Sequence, residues 1–336
     1  MSTSPGTGLN PAAEKMLPAN APMVRRVRAY YAPVNRTTGT PTIFDPAQSG
    51  GFSLEAPPAP WMDLGWVENF SRKSASVYAP LRSGSPAVTQ VQVREEIEAQ
   101  VSLEFLGWGK LQMALSSGSQ HMNLLTEQSG AAANGSGSTA TAALTLLTGT
   151  TAQVLMVTPL QAESFAVGQM VAVDVDYVGQ TGFVGSGISA AYVSGAAVVA
   201  GDVNYIRRVS FNVGRVAYVN MTTGELQLSE PLPAGVPTSG MKLQTMSGFV
   251  DREGGKFFHE WSALFVMEGA QGDRVMLHYP RLQPMRSAAE SAVELSAPLE
   301  RMRLSAQFRA LPVTDAVDGE TVLCYRSYLP AAAFLV

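Results

Sequence analysis

From Val91 to Phe105 the chain keeps a period of two. Val91, Val93, Ile97, Ala99, Val101, Leu103 and Phe105 fall on alternate positions, with Gln92, Arg94, Glu96, Glu98, Gln100, Ser102 and Glu104 between them. Only Glu95 interrupts the apolar row. A helix turns about 100° per residue and would send Ile97 and Ala99 to roughly opposite sides. The segment therefore predicts a long strand with one buried and one acidic face, although glutamate favours helix.

The same alternation returns near the C-terminus. Met302, Leu304, Ala306, Phe308 and Ala310 point one way, and Arg301, Arg303, Ser305, Gln307 and Arg309 the other. Before it, "FFHEWSALFVMEG" and "RVMLHYPRLQP" flank the turn residues "AQGD" and predict a hairpin, and "TVLCYRSYLP" predicts a last strand. Between the two alternating strands, Leu111, Ala114 and Leu115 stand at helical spacing and Gly118 is a stop signal, so one helix of about two turns is expected.

Punctuation divides the rest. Residues 1–60 hold ten of the 21 prolines. Proline removes a backbone donor and fixes φ. The segment predicts an extended N-terminal arm, not a central sheet element, with at most one short strand at "MVRRVRAYYAPV", packed on something such as a neighbouring subunit. Trp61, Trp66, Phe70 and Tyr78 follow as anchors for a core or an interface. Residues 128–162 carry no charge, and 128–150 reads as a flexible linker. Residues 151–246 break into short strands separated by Gly, Pro, Asn and Thr, with Gly224 supplying a positive φ in a hairpin. The fold expected is all-β: a β-sandwich core over 61–127 and 247–336 with one short α-helix, plus an inserted small β-barrel or sandwich.

Composition narrows the function. Charged residues make up 15% of the 336-residue chain, against about 25% in ordinary globular domains. Either other subunits cover much of the surface, or loops rich in Gly, Ser and Thr dilute the charge. A net charge of −4 argues against DNA binding as the main task. Cys324 is the one cysteine, so no internal disulfide forms, which fits assembly in the cytoplasm; its apolar neighbours read it as a core residue. No secretory leader and no run of 18 apolar residues is seen, so no membrane insertion is expected.

Candidate chemistry is sparse. His259 and His278 lie on the two arms of the expected hairpin, and neither they nor His121 have ligand spacing for a metal. Asp174 and Asp176 share a strand face and read as a solvated surface. No G-x-S-x-G occurs, and "GSGSTA" and "GSGISA" lack the Lys-Ser/Thr ending of a phosphate loop. "RRVR" at 25–28 is too short for a nucleic-acid patch. No catalytic residue, metal or cofactor is expected, and the chain does not read as an enzyme.

The order of segments carries a resemblance. An aromatic opening ("WMDLGWVENFSR"), a long strand ("VREEIEAQVSLEF"), a short helix ("KLQMALSSG"), a variable middle, a hairpin and a closing "ELSAPLERMRLSAQFRALP" resemble the tail tube (major tail) proteins of long-tailed bacteriophages. The likeness spans roughly residues 60–127 and 247–330 and rests on loose strand, helix and length patterns; the insertion is a departure in size. It implies a structural virion protein of the tail, assembled in the host cytoplasm. Subunits would associate with themselves as hexameric rings stacked into a tube. The lumen would hold the tape-measure protein and DNA without binding them specifically, and other tail proteins would meet the ends. Within this picture Glu96, Glu98 and Glu104 are expected to face the lumen, where acidic walls repel phosphate. Arg301, Arg303 and Arg309 are expected on an intersubunit strand; alternatively the glutamates pair with these arginines across neighbouring strands. Other readings are a capsid decoration or baseplate ring protein, or a carbohydrate-binding module using Trp61, Trp66, Trp108 and Trp261.

Overall fold

The computed structural model describes residues 23–34, 39–118, 120–126, 141–174, 182–184, 189–191, 212–232, 235–237, 240–252, 259–269, 272–285, 289–296 and 299–331. The chain begins with β1 (Met23–Pro33), α1 (Pro46–Ser49), β2 (Met62–Ser83), β3 (Val88–Phe105), α2 (Lys110–Ser117) and β4 (Gln120–Leu125). It continues through β5 (Leu144–Thr145), β6 (Val154–Met156), α3 (Pro159–Ala162), β7 (Met170–Asp174), β8 (Gly182–Val184), β9 (Ser189–Ala191), β10 (Val213–Asn220), β11 (Glu225–Leu228) and β12 (Lys242–Arg252). It ends with β13 (Trp261–Gly269), β14 (Arg274–Pro284), β15 (Ala289–Ser296), β16 (Leu299–Ala310), β17 (Val313–Thr314), β18 (Thr321–Val322) and β19 (Tyr325–Leu329). The fold is all-β with a few short helices.

Two antiparallel sheets hold most of these strands. The first runs β15-β16-β3-β2-β1-β13-β14-β19, and β14 also pairs with β16. That extra pairing, Leu282 to Ala310 and Pro284 to Phe308, closes the strands from β16 round to β14 into a barrel. Its interior is set by alternation: Ala29 and Tyr31 of β1, Val101, Leu103 and Phe105 of β3, Phe265 of β13 and Phe308 of β16 form one cluster. Closure removes unpaired edges from the core strands. The last expected strand divides in two, with β18 pairing β17 and β19 extending the barrel sheet.

β1 overturns the expectation of an arm without central strands. It sits between β2 and β13, and Ala29, Tyr30, Tyr31 and Ala32 are fully buried. The prolines lie outside Val24–Ala32, so this stretch keeps its donors and pairs on both sides. Its second face, carrying Tyr30 and Ala32, packs under Phe44, Leu54 and Trp61. Residues 39–61 thus cover their own barrel. They are fastened by Tyr30 Oη donating to Leu54 O at 2.9 Å and by Arg274 Nη1 donating to Gly50 O and Phe52 O at 2.9 and 2.7 Å.

The second sheet runs β6-β11-β10-β7-β12-β4-β9-β8, with β5 on β12. It has its own core around Leu155, Phe165, Val171, Leu226 and Leu243. The insertion is therefore wider than 151–246, since β4, β5 and the end of β12 belong to it, and Leu144 of the expected linker packs on its core. Gly224 turns its hairpin at φ 75°, where an added Cβ would lie 2.0 Å from Val157 O. The predicted helix is α2, with Leu111, Ala114 and Leu115 buried and Gly118 left-handed at φ 62°. Its Leu111 and Leu115 share a cluster with Ala172 and Met246 of the second sheet, so α2 is a wedge between the two units.

Candidate functional site

β2 and β3 are 22 and 18 residues long, far beyond the usual strand of about five or six. β3 leaves β16 after Gln100, and β2 leaves β1 after Val67. From the Ser74–Ala99 pair out to Ser83–Val88 the two strands pair, among the described residues, only with each other. At about 3.3 Å per residue this makes a ribbon of roughly 30 Å projecting from the barrel. The expectation of one buried face along β3 holds only at its barrel end. Ala99, Val101, Leu103 and Phe105 are buried, whereas Val91, Val93 and Ile97 are 56, 46 and 40% exposed.

The break at Glu95 has a structural cause. Val77 pairs with Glu96 and Tyr78 with Arg94, so Glu95 is the extra residue of a β-bulge. One extra residue inverts which side chains share a face. Cross-strand partners point the same way. Beyond the bulge, Val91 pairs with Leu81 and Val93 with Ala79, and these share the face of Val77 and Glu96. Ile97 stays on the face of the barrel interior, opposite Ser76. A second register shift between Leu81 and Arg82 leaves Val88, opposite Ser83, on the aliphatic side. The other face carries Tyr78 and Arg94, the guanidinium lying 5.6 Å from the ring centre. Val77, Leu81, Val88 and Val91 are each about half exposed. An aliphatic stripe open to water on a two-stranded ribbon is the type of surface at which proteins commonly meet partners.

The acidic and basic rows meet at the base of the ribbon. Arg303 is forked between two carboxylates, with Nη1 to Glu104 at 3.0 Å and Nη2 to Glu68 at 2.9 Å. Arg309 reaches Glu98 at 2.9 Å, with both side chains about half exposed. Both links form within one chain, because β16 pairs directly with β3. Hydrogen bonds from Asn69 and then from Arg303 hold Glu104 below the usual carboxylate range, outweighing its partial burial. Asn69 has a left-handed backbone, φ 49°, at a bulge in β2, a conformation asparagine tolerates better than most residues. Glu96 lies further out, is exposed, and has no ion-pair partner among the described residues. The Arg301 side chain lies outside the described residues.

The other candidates are dispersed. His259 accepts from Trp261 Nε1 at 2.5 Å, with Trp261 in the barrel interior. His278 is on the opposite face, stacked on Tyr325 and edge-on to Trp61. The two imidazoles do not come together. Burial lowers the His278 pKa to about 4. Glu260 pairs with Arg281 at 2.7 Å. The Asp174 and His121 side chains and all of Asp176 lie outside the described residues, among which no group of three ligating side chains occurs. Cys324 is half-buried against the barrel core, and burial raises its pKa. Trp61 and Trp261 are buried and Trp66 packs under Arg28, leaving Trp108 exposed, so the four tryptophans form no platform for sugar. Among the described residues no helix is long and apolar enough to cross a membrane.

Two buried cations were missed by the pattern analysis. Arg28, in "RRVR", binds Asp63 and Glu55. Lys110 bonds Asn123 at the start of α2, and burial pushes its pKa well down. The ribbon itself had a signal. Forty-four residues from Met62 to Phe105 contain one strong turn, "SGSP", which requires two strands far longer than the usual five or six residues. No protein-family model matches the chain, and comparison with curated proteins gives no match.

Proposed function

We propose that this chain is a self-assembling structural subunit of a phage tail tube, forming hexameric rings that stack around a lumen. The observation that carries the reading is the ribbon, with an aliphatic face that no other part of the described chain covers. A lone two-stranded ribbon is marginal in water. Seating it against further copies buries the stripe and gives the ribbon a function.

The charges at its base fit a duct. Arg303 and Arg309 are already held by carboxylates of the same chain. Phosphate would have to displace those carboxylates to gain an arginine contact, so these arginines are poorly placed to replace the counterions of DNA. Glu96, Glu98 and Glu104 then present a wall with an acidic excess toward the lumen, and the arginine strand bounds the same face. In this arrangement the lumen reading and the pairing reading of the glutamates coexist. The second sheet, joined through α2, decorates the outside. The tape-measure protein and DNA pass without specific contacts.

The test is negative-stain electron microscopy of the purified protein across a concentration series, with fragments of preformed tube as nuclei. Rings or hollow tubes with six-fold end views are the expected result. A protein that stays monomeric at high concentration and adds to no nucleus contradicts the reading.

A further inference from the structure

The strand that ends in the ribbon tip begins at a cleft. β2 starts at Met62 and reaches the tip at Ser83, so the two features lie at opposite ends of one strand. The cleft has a volume of about 500 Å³ between the barrel and the second sheet, within the size range of pockets that enclose a compact ligand. Its apolar lining includes Met62 and Leu64 of β2, Leu111 of α2 and Leu232 of the second unit. Its polar lining is the carboxylates Asp63 and Glu230 with Gln112 and Lys110, the lysine bonded to Asn123. Asp63 is engaged with Arg28, whereas Glu230 is exposed and has no ion-pair partner among the described residues.

The tip offers the complementary chemistry. Leu81, Val88 and Val91 present solvent-exposed aliphatic groups on one face of the tip, and Arg82, paired with Thr89, supplies an exposed cation on the other. A ribbon tip standing in the cleft can turn its aliphatic face to the apolar floor and its basic face to the exposed carboxylate of Glu230.

We infer that the cleft is a socket for the ribbon tip of a second copy of this chain, with Arg82 of one copy facing Glu230 of the next. The inference rests on the self-assembly reading above and adds to it the receiving surface, which the inserted unit helps to build. Donor and acceptor surfaces differ, so the contact is head-to-tail, and the rotation between copies decides whether it closes a ring or joins one ring to the next. It also gives the insertion a second task, because Leu232 and Glu230 belong to that unit.

The test uses two single-cysteine proteins in a Cys324→Ser background, one carrying Arg82→Cys and the other Glu230→Cys. Both positions are exposed, and unchanged thermal melts establish that the variants fold. Mixed and oxidised, they are expected to give disulfide-linked dimers of one variant with the other, and few in either variant alone. In parallel, Arg82→Glu and Glu230→Arg should each lower the assembled fraction by about tenfold or more, since like charges are then apposed. The combined charge swap should restore it. Rings or tubes that form with no mixed disulfide and no rescue overturn the socket while leaving self-assembly standing. Absence of both assembly and cross-link in every protein, the Cys324→Ser parent included, overturns both.

Discussion

The barrel end and the ribbon end of β3 are written in nearly the same alternation and meet opposite fates. Ala99, Val101, Leu103 and Phe105 are sealed inside the barrel, while Val91 and Val93, on the same apparent row, stand in water. Periodicity reports which side chains share a face; it does not report whether anything covers that face. The difference lies in the neighbours. Among the described residues β16 runs beside β3 only from Gln100 to Phe105, and beyond that point no third strand flanks the pair. One inserted residue, Glu95, then turns the outer aliphatic row onto the opposite face from the inner one. The barrel end is buried in its own core, and the ribbon end leaves its apolar row open to water.

The largest separation between the two ends should come from truncating an interior residue. Phe308→Ala removes a fully buried ring from the barrel and should cost about 3–5 kcal/mol in denaturant unfolding. A loss below about 1 kcal/mol would show that the barrel interior is not the stabilising core.

Acid should act next, through a buried histidine of the barrel. The His278 pKa falls from 6.5 to about 4 on folding, because its burial disfavours the charged form. The unfolded chain therefore binds a proton that the folded chain refuses, and stability drops as pH falls from about 6.5 to about 4. The loss is on the order of 3 kcal/mol at one unit per 1.36 kcal/mol. Glu104, held low by Asn69 and Arg303, adds to the loss below the usual carboxylate range. His278→Phe should flatten the upper part of this profile, and an unchanged slope there would discount the imidazole.

A finer gradient runs along the charged row toward the ribbon. Arg303, 17% exposed and forked between Glu104 and Glu68, should cost about 1–3 kcal/mol when replaced by alanine. Arg309, about half exposed, should cost less than about 1 kcal/mol. Equal losses at the two sites would erase the distinction between base and ribbon. At the ribbon itself, Val91→Thr with Val93→Thr should leave unfolding within about 0.5 kcal/mol while preventing assembly in sedimentation. Deleting Glu95 sharpens the point. It moves Val91 and Val93 away from Ala79 and Leu81 to the other face, so assembly should fail with the barrel intact.

Much of this fold was legible from alternation and punctuation. The β16 face, the β13–β14 hairpin, the α2 stop at Gly118 and the turn at Gly224 each follow from a local rule acting on named residues. β1 escaped because proline density was averaged over 60 residues, whereas the prolines lie outside the stretch that pairs on both sides. The ribbon escaped because an exposed apolar row and a buried one have the same pattern. The charged site was only half legible: the rows of Glu and Arg could be seen, but pairing Arg303 with Glu104 and Arg309 with Glu98 requires β16 to lie beside β3. The cleft could not be read at all, since it joins residues from 57 to 232 through tertiary packing.

The central claim is that the ribbon is exposed in the free chain and covered in the assembly. Hydrogen exchange measured amide by amide on both forms tests it directly. The account predicts that amides from Val77 to Val93 exchange rapidly in the monomer and become strongly protected on assembly, while those of Val101–Phe105 stay protected throughout. Ribbon amides that exchange equally fast in both forms would contradict it.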